Sequence, residues 1–201
     1  MESGLIKTYK IKYHYMICIW LILFAYLYLF FNGYLKTFDK VVYEYVHSFL
    51  STPMTSLMIA ITFIGSTIGV IMICLICVII QRRKGWIVSI NVAIVALINQ
   101  MIKHIIQRPR PSVMRLVVET GYSFPSGHSM ASFALFGFIS YLLWNKHKVL
   151  SMIMMCFPIL IGISRIYLGV HYATDVLGGF LFSLTYLCTM IPILKYHKIL
   201  P

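Results

Sequence analysis

Residues 86–106 read WIVSINVAIVALINQMIKHII, and residues 107–111 follow as QRPRP. The first stretch is long and apolar enough to span a bilayer, which takes about 20 residues. Its one charged side chain is Lys103, about 26 Å along the helix from Trp86 at roughly 1.5 Å per residue. Seven residues after Lys103 come Arg110 and Pro111. A membrane helix therefore delivers a lysine to one face of the bilayer, and an arginine follows in the loop.

Five further runs are of comparable length. The six are 15–34, 55–80, 86–106, 127–144, 149–168 and 173–194. The first is too long, and lacks a cleavage pattern, to be a signal peptide, and is expected to remain as a helix. The expected fold is an all-α integral membrane protein with six transmembrane helices in a single domain, 1–201. Between the first two runs, Phe38, Val41, Val42, Tyr45 and Phe49 recur at helical spacing, with Lys40, Glu44 and His47 off that face. This pattern predicts an amphipathic interfacial helix.

Composition agrees. The 201 residues are 60% hydrophobic and 11% charged, with mean hydropathy +0.87, whereas soluble domains carry about 25% charged residues. A formal net charge of +12 would suggest nucleic acid in a soluble chain. Here the charges fall in loops between apolar runs and point to topology and an anionic substrate; no nucleic-acid partner is expected. All five cysteines (Cys18, Cys74, Cys77, Cys156 and Cys188) lie within apolar runs and read as small buried hydrophobes. Cys74 and Cys77 have redox-motif spacing without the βαβ context it needs.

Lysine and arginine set the orientation. Ten lie at one set of ends (Lys7, Lys10, Lys12, Arg82, Arg83, Lys84, Lys146, Lys148, Lys195, Lys198) and seven at the other. The first set is expected to be cytoplasmic, with both termini. The other face then receives Lys103 and Arg110, Pro125-Ser126-Gly127-His128 at the start of the fourth run, Ser164-Arg165 at the end of the fifth, and His171 with Asp175 at the start of the sixth. Alternation of the spans brings these groups to one face whichever way the protein is inserted.

The residue types share a chemistry. Ser126 suits a helix N-cap, and Gly127 lets an anion approach the free N–H groups of a helix start. Lys103, Arg110 and Arg165 are cations for a phosphate. His128 and His171 can divide attack and proton transfer. Asp175, four residues after His171, can orient that imidazole. Each element also has a plain reading, as an ordinary cap, an exposed histidine or a snorkelling cation. Arg108 and Arg115 can solvate the loop or meet lipid phosphates. His104 receives no catalytic role. No histidine–carboxylate cluster has metal-ligand spacing, so no metal or other cofactor is expected.

Lys103-x6-Arg110-Pro111, Pro125-Ser126-Gly127-His128 and Ser164-Arg165-x5-His171-x3-Asp175 together resemble the type 2 phosphatidic acid phosphatase superfamily. The runs 124–128 and 164–171, with Asp175-Val176-Leu177-Gly178-Gly179, are similar to its bacterial phosphatidylglycerophosphatase B branch. The resemblance implies hydrolysis of a lipid phosphate without metal, through a phosphohistidine at the extracytoplasmic face of the cell membrane. It implies that His171 is the nucleophile, Asp175 its orienting partner and His128 the acid for the leaving oxygen. Lys103, Arg110, Arg165 and the Ser126–Gly127 turn would hold the phosphoryl group. Undecaprenyl-diphosphatase members of the family often carry Asp at the position of Gly127 and Ala at that of Ser164. Their absence leans toward the phosphatidylglycerophosphatase-like branch, for which the resemblance implies a phosphomonoester or diphosphate of a lipid as substrate, with undecaprenyl diphosphate phosphatase as the alternative. A lipid-binding or transport protein that kept the pocket is the reading outside enzymes. Headgroup and oligomeric state are not legible.

Overall fold

The computed structural model describes residues 2–200, with side chains from His14 onward. Met1, Pro201 and the side chains of Lys7, Lys10 and Lys12, which entered the charge count, lie outside the described residues. The described residues form eight helices and no strand: α1 Glu2–Phe31, α2 Lys36–His47, α3 Thr52–Ile64, α4 Thr67–Ile80, α5 Arg82–Ile106, α6 Gly127–Leu143, α7 Lys148–Tyr167 and α8 Ala173–Tyr196.

Among them, four helices are long and apolar enough to cross a membrane: α1 over His14–Phe31, α5, α7 and α8. A fifth is added if α2 and α3, whose axes meet at 120°, count as one broken span. The outward side chains of these helices are apolar, Leu21, Leu97 and Ile153 among them, as contact with lipid requires. The protein is an all-helical, multi-pass membrane protein.

The run 55–80 is not one helix. It is broken at Gly65–Ser66 into α3 and α4. The Ser66 hydroxyl accepts from Gly69 N at 3.1 Å and caps α4, while Gly65 N turns back to Thr62 O at 3.0 Å. A Cβ on Gly65 would come within 2.5 Å of Ile161 on α7, so the break lies where the backbone presses on its neighbour. The first run also ends early, at Phe31 rather than Tyr34. Gly33 takes φ +74°, Gly33 N bonds Phe30 O and Tyr34 N bonds Leu29 O, each at 3.1 Å, which is a glycine-terminated helix end.

Helix α6 is the hub. It packs on α5, α7 and α8, with α4 at its flank, while α1 lies on α8 and α3 on α7. Leu135 and Phe138 of α6 are fully buried with Val88 and Val92 of α5 and Ile161 of α7. In lipid there is little hydrophobic drive between helices, so close backbone approach has to hold them. Gly179 supplies it at the α6–α8 crossing: a Cβ there would meet Ser126 O at 2.9 Å. Gly65 packs within the chain, against Ile161 of α7.

Helix α2 forms where the amphipathic pattern placed it, but it has two apolar sides. Val42 and Val46 pack on Ile166, Ala173 and Val176. Phe38, Val41, Tyr45 and Phe49 are exposed. Asp39, absent from the sequence pattern, is buried on the protein side.

Candidate active site

Four chain segments meet at one end of the bundle. Lys103 arrives from the last turn of α5. Its ammonium is held by the carbonyls of Tyr122 at 2.5 Å and Ser123 at 3.4 Å. Arg110 comes from the loop that follows, and three carbonyls fix its guanidinium: Gly121 at 3.1 Å, Thr120 at 2.8 Å and Val170 at 2.9 Å. Arg165, from the last turn of α7, is 1% exposed. It donates to Thr62 Oγ1 at 2.8 Å and to Glu119 Oε1. Its Nε is buried with no partner, which is rare for a charged donor.

His171 lies between α7 and α8, and its ring is fixed from both sides. Nδ1 faces Asp175 Oδ2 at 3.3 Å and Nε2 faces Arg110 Nη1 at 3.2 Å. The carboxylate must accept and the guanidinium must donate, so the proton sits on Nδ1 and the lone pair on Nε2. Burial pushes the His171 imidazolium down to about 4, with Arg165 and Arg110 adding to burial and Asp175 opposing it. The ring is therefore neutral at physiological pH, with its free lone pair aimed at a cation.

Asp175 is fully buried and saturated. Oδ2 also accepts from Ser123 Oγ and from Tyr172 N at 2.8 Å, and Oδ1 accepts from Arg108 Nη1 at 2.7 Å. The bond from Tyr172 N closes the start of α8, so one carboxylate both caps that helix and orients the imidazole.

At the start of α6, Ser126 accepts from Ser129 N at 3.4 Å and from Ser129 Oγ at 3.0 Å. Ser126 is fully buried and stands behind the cavity wall rather than on it. Gly127 and His128 are on the wall, together with Lys103, Arg110, Glu119 and His171. A Cβ on Gly127 would lie 3.2 Å from Asn99 Oδ1, so the glycine keeps the helix start open. The cavity has a volume of about 850 Å³. It continues from the charged end along α4 and α5, past Val70, Cys74, Val92 and Ala93, as far as Val78 and Trp86.

Sequence reasoning missed Glu119, Arg108 as a partner of Asp175, and Asp39. Glu119 lies between two guanidinium groups, bonded to Arg165 and 3.7 Å from Arg110. Burial would raise its carboxyl, but Arg165, His128 and Arg110 outweigh burial and hold it below the ordinary range. The available signal was scarcity: the chain has five acidic residues, and Asp39, Glu119 and Asp175 are all here.

Cations, a helix start and an oriented imidazole meet around one cavity, an arrangement suited to an anion. A model of the PAP2 superfamily matches residues 84–199, which include every one of the sequence-predicted site residues. The chain belongs to the PAP2 superfamily. Over 91 residues it is 46% identical to phosphatidylglycerophosphatase B of Bacillus subtilis (strain 168), covering 42% of this chain and 45% of that protein. It is 33% identical over 109 residues to sphingosine-1-phosphate phosphatase 1 of Mus musculus, covering 50% of this chain and 25% of that one. The matched stretches thus span less than half the length of these relatives. The crystal structure of a transmembrane PAP2 type phosphatidylglycerolphosphate phosphatase from Bacillus subtilis superposes with a TM-score of 0.79 at 27% identity, over 89% of this chain and 96% of that one.

Proposed function

We propose that this protein is an integral-membrane lipid phosphatase that hydrolyses a phosphomonoester of the phosphatidylglycerophosphate or phosphatidic acid type through a phosphohistidine. The observation that carries the reading is the placement of His171, with Nδ1 facing Asp175 at 3.3 Å and Nε2 facing Arg110 at 3.2 Å. In this mechanism Nε2 attacks phosphorus in line with the departing lipid oxygen, and His128 protonates that oxygen. Asp175 stabilises the positive charge that develops on His171. Water then attacks the phosphohistidine, with His128 returning as base. Lys103, Arg110, Arg165 and the N–H groups at Gly127 hold the phosphoryl oxygens, so cations do what a metal does in other phosphatases. The unpartnered Nε of Arg165 suits an incoming oxygen. The phosphoryl group displaces Glu119, which balances the two arginines when no substrate is bound. The apolar extension of the cavity between α4 and α5 suits an acyl chain. Two relatives, phosphatidylglycerophosphatase B and sphingosine-1-phosphate phosphatase 1, are named for lipid monoesters, which supports that substrate class over the alternative, undecaprenyl diphosphate.

Purified protein in detergent, given phosphatidic acid, phosphatidylglycerophosphate, sphingosine-1-phosphate and undecaprenyl diphosphate, tests the reading. Phosphate release is expected from the monoesters, undiminished by EDTA and inhibited by vanadate. Loss on chelation, restored by a divalent cation, would rule out the metal-free mechanism.

The same reading takes residues 1–201 as one domain crossing the bilayer six times, with α3 and α4 together as the second crossing. Both termini are cytoplasmic, α2 lies on the outer surface and the site opens outward. Cysteine introduced at Val113 is expected to react with an impermeant thiol reagent in intact cells once any outer barrier is opened, and one at Asn145 is not. The reverse pattern would invert the topology.

A further inference from the structure

Arg108 is placed differently from a loop cation. Its Nη2 donates to Asp39 Oδ2 at 2.9 Å, and its Nη1 lies 2.7 Å from both Asp175 Oδ1 and Thr174 Oγ1. The guanidinium lies on the Tyr172 ring at 3.9 Å and near Phe30 at 4.9 Å. Asp39 is held in turn by Thr174 N and Thr174 Oγ1, each at 2.8 Å. This closed network joins α1, α2, the loop after α5 and the start of α8. Its members are not among the residues lining the cavity, whereas Arg110 is, and both terminal nitrogens of Arg108 are already taken by carboxylates.

We infer that Arg108 and Asp39 are positioning residues for the His171–Asp175 pair, fixing the rotamer of Asp175 and the negative charge it presents to the imidazole. With Oδ1 taken by Arg108, the other oxygen is left for Nδ1 of His171. Asp39 shares the cation, so Asp175 is only partly neutralised. A cation that served Asp175 alone would weaken its support for a positively charged phosphohistidine, and no cation at all would leave two buried carboxylates facing each other. The second carboxylate comes from α2, so an amphipathic surface helix is built into the geometry of the reaction.

This inference rests on the phosphohistidine reading. The groups facing His171 are Asp175 on α8, Arg165 on α7, His128 on α6 and Arg110 on the loop. Arg108 acts on it only through Asp175. The test is kcat and KM against pH for Arg108→Gln, Arg108→Lys and Asp39→Asn, on short-chain phosphatidic acid in detergent. The acid limb of kcat reports groups in the enzyme–substrate complex.

Arg108→Gln is expected to lower kcat by about 10- to 100-fold, the usual loss when a partner behind an essential ligand is removed, with KM little changed. Its acid limb should move to higher pH, because an uncompensated Asp175 favours the imidazolium. Asp39→Asn should move the limb the other way. Arg108→Lys should fall between wild type and Arg108→Gln, since an ammonium keeps the charge but not the planar fork that meets Asp39 and Asp175 through separate nitrogens. A purely structural role would reduce the amount of active protein and leave both limbs unmoved, and that result would overturn the inference. So would a loss confined to KM. The wild-type rate tests the phosphatase reading and the variant ratios test the network: an inert wild type overturns both, an active one with unchanged variants only the second.

Discussion

His171→Ala is expected to abolish turnover, lowering kcat by roughly four to six orders of magnitude, the range seen when a nucleophile is removed from a cooperating unit. The residual rate would come from electrostatic binding of the phosphoryl group alone. Truncation leaves Asp175 still held by Arg108, Ser123 and Tyr172 N, so the start of α8 keeps its cap and the protein is expected to fold. Rapid-quench labelling with radioactive substrate gives the sharper measurement. Wild type should show an acid-labile phosphoenzyme, His171→Ala none, and His128→Ala a slowly formed one. Near-normal activity in His171→Ala would mean that another group attacks phosphorus.

Arg110→Lys is expected to lower kcat by about 100- to 1000-fold, the cost of removing one preorganised donor to a developing anion, with a smaller rise in KM. Charge is retained, so the effect is geometric. The three carbonyls on the guanidinium match a planar fork, and an ammonium cannot keep them while also facing the phosphoryl oxygens and His171. Charge spread over equatorial oxygens exists fully only near the transition state, which is why kcat suffers more than KM. Steady-state kinetics on protein that elutes as wild type does in detergent checks this. Wild-type kinetics in Arg110→Lys would remove it from the phosphate site.

How much of this was legible in the sequence depended on the range of the interactions. Helices α5 to α8 begin and end within four residues of the apolar runs, because membrane-depth hydrophobicity is a local property. Lys103, Arg110, Gly127, His128 and His171 could be brought together by counting crossings, which needs no side-chain detail. The break at Gly65–Ser66 was not read, because the side chain that a Cβ there would strike, Ile161, lies on another helix. The two-sided packing of α2 likewise depends on Ile166, Ala173 and Val176. The Ser126–Gly127 turn could be placed by its position at a helix start, but the partner of the Ser126 hydroxyl, Ser129, could not. Arg108 and Arg110 each precede a proline and look equivalent in sequence. Only the fold shows that one faces two carboxylates and the other a cavity.

Under the proposed lipid-phosphatase reading, the apolar extension of that cavity along α4 and α5 also decides what concentration means for this protein. A lipid that enters from the bilayer never becomes a solute. It searches in two dimensions, and its supply is set by its mole fraction among neighbouring amphiphiles rather than by its molarity. Below saturation, adding detergent at a fixed amount of lipid therefore slows turnover by surface dilution, with no change in the protein. Rates from different micelles or vesicles become comparable only when expressed per unit of surface composition.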